Sequence, residues 1–302
     1  MACLMKLKLV YINFMIIDLQ IHSTYSDGYL SPTAAADFLA KQGVKVASLT
    51  DHNTLAGYPE FNQACRRHSL KVVPGIEIYT RFDDQQINIL WYNLPLDNPL
   101  INQLMLESQK HWLSRLRHHL DKLIKAKLLM VGSEIAIEKF THYVPTNGLL
   151  DAILTVPGNR EIITKQLGSS IFREEEAIGL LFSNNKIGRL RPSCVSLERV
   201  VRLNRQFGGQ LVFCHPAKGR SVSAKLVARL KAAGVHGLEV LSPHHSLGAV
   251  FYLQDLAERN DMIITGGSDF HRFEGGRHGL TSVYDYWQVD SDNLRRIKEI
   301  IG

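Results

Sequence analysis

The sequence predicts an α/β protein: βα units around a largely parallel sheet or barrel, interrupted in the middle by a long helical stretch. Three observations predict it. Short β-rich runs alternate with amphipathic runs, and polar residues of metal-binding type stand just past the ends of the β-rich runs. Between about residues 97 and 192 the strand signal stops and apolar residues recur at helical spacing.

The elements follow in chain order. An apolar strand over Phe14 to Leu19 leads into the loop of "DLQIHSTYSDG", which carries His22 and Asp27. The helix "SPTAAADFLAKQG" precedes the strand "VKVASLT", with Asp51 and His52 at its end. The helix "GYPEFNQACRRH" precedes "LKVVPGIEIYT", in which Glu77 follows the run "KVVPGI". In the middle, "NPLINQLMLESQKHWLSRLRHHLDKLIKAK" repeats Leu113, Leu116, Leu120 and Leu123 on one helical face. The strand pattern returns at "GGQLVFCHPA", which carries His215, continues through "GLEVLSP", and closes at "DMIITGGSDFH" with Asp269 and His271. The division read from this order is an extension over 1–14, a first barrel part over 15–96, a helical insertion over 97–192 and a second barrel part over 193–302. In such sheets functional side chains gather at the carboxyl ends of strands, so these strand ends are expected to meet on one polar rim.

Composition narrows the class. With 302 residues, 45% of them apolar, the chain can bury a sizeable core. Its net charge of +6 is spread along the chain. That permits an anionic substrate without implying double-stranded nucleic acid as a partner. The four cysteines, Cys3, Cys65, Cys194 and Cys214, form no CxxC pair, so neither a disulfide framework nor a thiolate zinc site is expected, and a reducing cytoplasm is the simplest home. The opening "MACLMKLKLVYINFMII" lacks a small-residue cleavage site and is too short to span a bilayer, so no membrane partner is expected. Residues 1–14 read as a dispensable extension or an over-called start ahead of Met15.

Borderline and hard divalent ions need imidazole nitrogens and carboxylate oxygens converging from several directions, with a position left open for water. His22, Asp27, His52, Glu77, His215, Asp269 and His271 supply that set. A single histidine at a strand end is usually only hydrogen-bonded, but seven such residues at successive strand ends argue for metal. A hydroxide bridging two such ions would attack phosphorus while the cations neutralise the growing charge, with no covalent enzyme intermediate.

The set "DLQIHSTYSDG", "SLTDHNT", "PGIEIYT", "FCHPA" and "GGSDFH" resembles the polymerase and histidinol phosphatase (PHP) superfamily. In order and spacing it is most similar to the subgroup of nucleoside 3′,5′-bisphosphate phosphatases and 5′→3′ exoribonucleases of short RNA. The resemblance implies a distorted seven-stranded β/α barrel holding up to three divalent ions, manganese, iron or zinc. It also implies the grouping: Asp27, His52 and His271 in one site, with Glu77 bridging two more, one completed by His22 and Asp269 and the other by His215. Two positions depart from the pattern, because Gln20 and Asn88 stand where family members usually have histidine. Their amide oxygens are weaker donors than imidazole. The expected activity is hydrolysis of a phosphate ester in a nucleoside 3′,5′-bisphosphate or a short 5′-phosphorylated oligonucleotide. The alternative is a degenerate PHP-fold binding or regulatory protein in which Gln20 and Asn88 mark lost catalysis.

Lys218 and Arg220 in "CHPAKGR" are candidate phosphate contacts, as are Arg115, which the resemblance places beside the substrate, and Arg160 near "VPGNREIIT". His244 and His245 in "SPHHS" are candidates for supporting or substrate contacts. Arg117, His118, Lys122 and Lys125 read as the solvated face of an amphipathic helix, because no aromatic residues interleave with them.

Overall fold

A computed structural model describes residues 15–140, 143–183, 187–191, 194–219, 221–272 and 287–302. The expectations for residues 1–14 and for Arg220 fall outside the described residues.

The chain opens with β1 (Ile16–Ile21), two residues later than the apolar run suggests. Ser31 then caps α1 (Pro32–Lys41), its side chain accepting from Ala34 N at 3.2 Å, while Pro32 sits in the first turn where its missing N–H costs nothing. There follow β2 (Val46–Leu49), α2 (Tyr58–Arg67) and β3 (Lys71–Val72). The run "LKVVPGIEIYT" is not one strand, because Pro74 cannot donate to a ladder and separates β3 from β4 (Gly75–Phe82). A tight turn with Asp83 at φ 52° returns the chain as β5 (Gln85–Tyr92).

From there the backbone is helical: α3 (Pro99–Lys125), a 3₁₀ turn (Ser133–Lys139), α4 (Thr146–Leu154), α5 (Asn159–Leu167) and α6 (Glu174–Phe182). These pack their own apolar cluster, in which Leu116, Leu120 and Leu123 of α3 meet Leu149, Leu150 and Ile153 of α4. Arg117, His118, Lys122 and Lys125 lie on the exposed face of α3. Strands resume with β6 (Val195–Ser196), followed by α7 (Leu197–Phe207), β7 (Gln210–Phe213), α8 (Ala224–Ala233), β8 (Gly237–Leu241), α9 (Leu247–Arg259), β9 (Ile263–Gly266), β10 (Val289–Asp290) and α10 (Lys298–Ile301).

Two sheets result, ordered β10-β1-β2-β3 and β6-β4-β5-β7-β8-β9. β1, β2 and β3 are mutually parallel, as are β7, β8 and β9, whereas β5 runs antiparallel to both β4 and β7. The sheets are thus largely parallel, with β5 against β4 and β7 and β10 against β1 as the antiparallel exceptions; at β4–β5 a short turn forces that sense. Two isolated parallel bridges, Ile21 with Phe270 and His52 with Glu77, join the sheets at the last residue of β1 and just past the end of β2. The core between the sheets is apolar, with Ile17, Leu19, Ile76, Ile78, Trp91, Phe213 and Val240 all inaccessible to solvent. Each such side chain stabilises the fold by roughly 1.5–3 kcal/mol.

Candidate metal centre

The two bridges mark where the polar residues meet. His22 is the first residue past β1, and its backbone N–H donates to Phe270 O at 3.0 Å, tying the end of β1 to the loop after β9. Asp51 is a loop anchor. Its buried carboxylate accepts from Ser23 N and Ser23 Oγ at 2.7 Å and from Ser26 Oγ at 2.6 Å, which fixes residues 22–28. Asp18 does the same at the other edge, accepting from Ser268 N at 2.9 Å and Ser268 Oγ at 2.7 Å and so placing Asp269. His215 and Asp269 lie in the left-handed backbone region at φ 26° and 48°. Such conformations cost about 1–3 kcal/mol each and persist where surrounding structure enforces them.

Glu77 and Asn88 reach the same place differently. Neither stands at a strand end: Glu77 is the third residue of β4, paired with Leu90, and Asn88 lies in β5 opposite Tyr79. The hairpin turns both side chains to one face. The run "KVVPGI" conceals this, because its proline break makes Glu77 look like the residue after a strand.

All seven expected donors converge. Three groups offer donor atoms within 4.8 Å of one another: His22, Asp27, His52 and His271; His22, Glu77 and Asp269; and Glu77, Cys214 and His215. His22 belongs to two of them, wider use than the expected grouping gave it, and Cys214 belongs to one although its lack of a CxxC partner had argued against a thiolate site. The sequence signal for Cys214 is its place beside His215 at the end of β7.

The spacings bear on what the groups can hold. Direct imidazole–carboxylate hydrogen bonds in this protein are short, 2.6 Å for His68–Asp37 and 2.6 Å for His244–Asp269. At the centre His22 Nε2 is 3.2 Å from both Glu77 Oε2 and Asp269 Oδ1, His52 Nε2 is 3.4 Å and His271 Nε2 3.3 Å from Asp27 Oδ2, and His215 Nε2 is 3.3 Å from Glu77 Oε1. Ligands about 2.0–2.1 Å from a tetrahedral ion are roughly 3.3 Å apart, so these spacings fit ligand edges better than direct hydrogen bonds. In addition, Gln20 Oε1, His22 Nε2, His52 Nδ1 and Asp269 Oδ1 are buried without a hydrogen-bond partner. Unpartnered polar atoms buried together, such as His22 Nε2 and Asp269 Oδ1 at 3.2 Å, are costly unless a cation meets them. The residues present thus fit divalent ions.

The two amides face the shared carboxylate. Gln20 Nε2 donates to Glu77 Oε2 at 3.1 Å and to Cys214 Sγ at 2.9 Å, and Asn88 Nδ2 donates to Glu77 Oε1 at 2.6 Å. An amide can present its oxygen at the same place by a half-turn about its last torsion.

Electrostatics follow from this crowding. Burial pushes the His22 imidazole down, but the surrounding carboxylates of Asp269, Glu77 and Asp27 outweigh it and hold it well above its ordinary value. His271 is likewise raised: Asp27 and Asp269 outweigh burial and the His22 charge. Burial also opposes ionisation of Asp27, Glu77 and Asp269, yet His52 and His271 around the first, His52, His215 and His22 around the second, and Lys218 with His271 beside the third hold all three carboxyls well below the usual range. Glu239 goes the other way, because burial and the charges of Asp269 and Glu77 raise it well above the usual range. Its Oε2 accepts from His215 N at 2.7 Å. Burial and the Glu77 charge also raise the Cys214 thiol, so without metal the sulfur keeps its proton.

Around the centre, Lys218 Nζ pairs with Asp269 Oδ2 at 2.8 Å and is partly exposed. His244 Nε2 meets the same oxygen, whereas His245 braces the 214–218 loop, bonding Val240 O through Nδ1 at 2.8 Å and accepting from Ala217 N at 3.3 Å. The helical segment also touches the rim. Asn147 donates to Asp27 O at 2.8 Å, Gln109 donates to Asn53 O at 2.8 Å, and Tyr79, stacked on His52 at 4.4 Å, hydrogen-bonds Tyr143. Isolated polar residues in helices and loops gave no sequence signal for these contacts. Arg115 is exposed on α3, and the Arg160 guanidinium lies 5.5 Å above the Phe172 ring within the helical segment. Neither is brought into the donor groups.

Residues 18–154 match the PHP domain. The chain is 25% identical over 309 residues to the 5'-3' exoribonuclease Rnm of Escherichia coli K12, spanning 94% of this chain and 98% of that protein. It is 27% identical over 272 residues to the 3',5'-nucleoside bisphosphate phosphatase of Chromobacterium violaceum, spanning 86% and 89%. In fold it is similar to a crystal structure from Bifidobacterium adolescentis described as a metal-dependent phosphoesterase, with a TM-score of 0.75, 20% identity and 94% of each chain covered.

Proposed function

We propose, from the match of residues 18–154 to the PHP domain, that the chain is a metal-dependent phosphoesterase acting on a nucleoside 3′,5′-bisphosphate or a short 5′-phosphorylated oligonucleotide. The observation that carries the reading is the set of imidazole and carboxylate spacings near 3.3 Å around buried, unpartnered donor atoms. In this reading Asp27, His52 and His271 would hold one ion, with His22 beside them, while Glu77 would help hold two more, one with His22 and Asp269 and the other with His215. The ions would be manganese, iron or zinc. The two sheets and their two bridges are taken as the seven-stranded distorted barrel, and residues 97–192 as its helical insertion.

Bound divalent ions would supply charge to the phosphate oxygens and acidify a water. The chain's own residues do the rest. Asp51, Asp18 and Glu239 fix the backbone beside His22, Asp269 and His215, so the donors are held before substrate arrives. His244 orients Asp269, and Lys218, half-exposed beside that carboxylate, adds a cation facing solvent for an incoming phosphate. Ser23 and Ser26 donate their hydroxyls to Asp51 and so hold the loop that carries His22 and Asp27.

A specific observation favours a second reading, a PHP-fold protein that has lost turnover: both oxygens of Glu77 already accept from the amides of Gln20 and Asn88. One experiment separates the two. Phosphate release from a nucleoside 3′,5′-bisphosphate is measured with added manganese and again with a chelator. Chelator-sensitive release supports the phosphoesterase; an inert chain under excess manganese supports the second reading.

A further inference from the structure

We propose that Cys214 is a metal ligand, coordinating through its thiolate the ion that Glu77 and His215 share, and that it makes this site selective for a borderline-soft ion of the zinc type. The inference rests on the metal reading above and concerns only this position.

The geometry points to it in three ways. Cys214 Sγ is 3.4 Å from Glu77 Oε1, and His215 Nε2 is 3.3 Å from the same oxygen. For an ion at about 2.3 Å from sulfur and 2.0–2.1 Å from oxygen and nitrogen, tetrahedral edges are roughly 3.5 and 3.3 Å, matching both. Second, all three donors are buried and lie within 4.8 Å of one another. Third, Gln20, fully buried, places Nε2 2.9 Å from the sulfur while its Oε1 has no partner, and Glu239 Oε1 beside them has none either. The pocket around the sulfur therefore holds unmet polar atoms where a thioether or methyl group would be inert. Because Gln20 and Asn88 offer only amides, sulfur is the softest donor available.

Coordination replaces the S–H···Oε1 contact with a metal–sulfur bond. The thiol proton leaves to solvent, and sulfur supplies the electron pair with no change in oxidation state. Glu77, His215 and Cys214 then make three protein ligands, leaving a fourth position open.

Cobalt(II) substitution tests this without using activity. The chain loaded with cobalt is expected to show a near-ultraviolet thiolate-to-cobalt charge-transfer band, absent in Cys214→Ser, while the visible d–d absorption of the remaining cobalt persists. Cobalt bound without that band, or a band that survives in C214S, overturns the proposal and leaves the metal reading standing. A chain that takes up no cobalt overturns both. Should C214S not fold, zinc-edge X-ray absorption on the unaltered protein decides: a sulfur scatterer near 2.3 Å is expected, and a shell of nitrogen and oxygen alone overturns the proposal.

Discussion

Asn88 and Glu77, diagonal neighbours on one face of the β4–β5 hairpin, are joined by a hydrogen bond of 2.6 Å from the amide to the carboxylate. Glu77 is the carboxylate shared by two donor groups, so this bond competes for an oxygen that metal would take. Gln20 holds the other oxygen at 3.1 Å.

Restoring imidazole at both positions should therefore strengthen metal binding. The double substitution Gln20→His with Asn88→His is expected to raise affinity by about 10–100-fold and phosphate release with it. Metal retained after desalting and the hydrolysis rate are the readouts; unchanged retention would mean that these side chains do not face the ions.

Acidity should control the gain in stability on metal binding. His22 and His271 are raised in the metal-free fold, so their protonation stabilises it fully below about pH 6.5, and that contribution is lost as pH rises through the raised values. Metal requires both rings neutral and releases their protons. The zinc-induced rise in Tm should grow across that window as pH increases, measured by differential scanning calorimetry. A constant rise with pH would show that neither imidazole is a ligand.

Gly267 permits the approach of the β9 loop to β1. A Cβ there would stand 2.6 Å from Gln20 N and 2.7 Å from Gln20 Cβ, against backbone that cannot yield cheaply. Gly267→Ala should destabilise the fold by about 1–3 kcal/mol and lower metal content, because Asp269 moves with the loop. Denaturant melts with metal analysis test it, and wild-type values in both would refute the close approach.

Asp51 should act on metal only through residues 22–28. Asp51→Ala removes a buried acceptor of hydrogen bonds from Ser23 N, Ser23 Oγ and Ser26 Oγ, and should cost about 3 kcal/mol. Loss of metal without loss of stability would instead make Asp51 a ligand.

Much of this centre was legible before any coordinates. His22, His52, His215, Asp269 and His271 follow apolar runs closely enough that strand ends alone gather them. Glu77 and Asn88 were harder, because a hairpin places side chains by pairing register and not by distance from a strand end. Cys214 was passed over because cysteine is read by spacing to other cysteines, whereas here its partners are a carboxylate and an imidazole far away or adjacent in sequence. Arg160, a candidate for the substrate, lies over Phe172 beside the apolar cluster of the helical segment and outside the donor groups.

Metal stoichiometry in wild type and Glu77→Gln tests the central claim most directly, with mass-spectrometric metal analysis after loading and desalting. Glu77 ties two of the three donor groups. The expected result is more than one divalent ion per wild-type chain, with Glu77→Gln keeping only the ion at Asp27, His52 and His271. A wild-type chain that retains no ion, or a variant that retains as many as wild type, would contradict it.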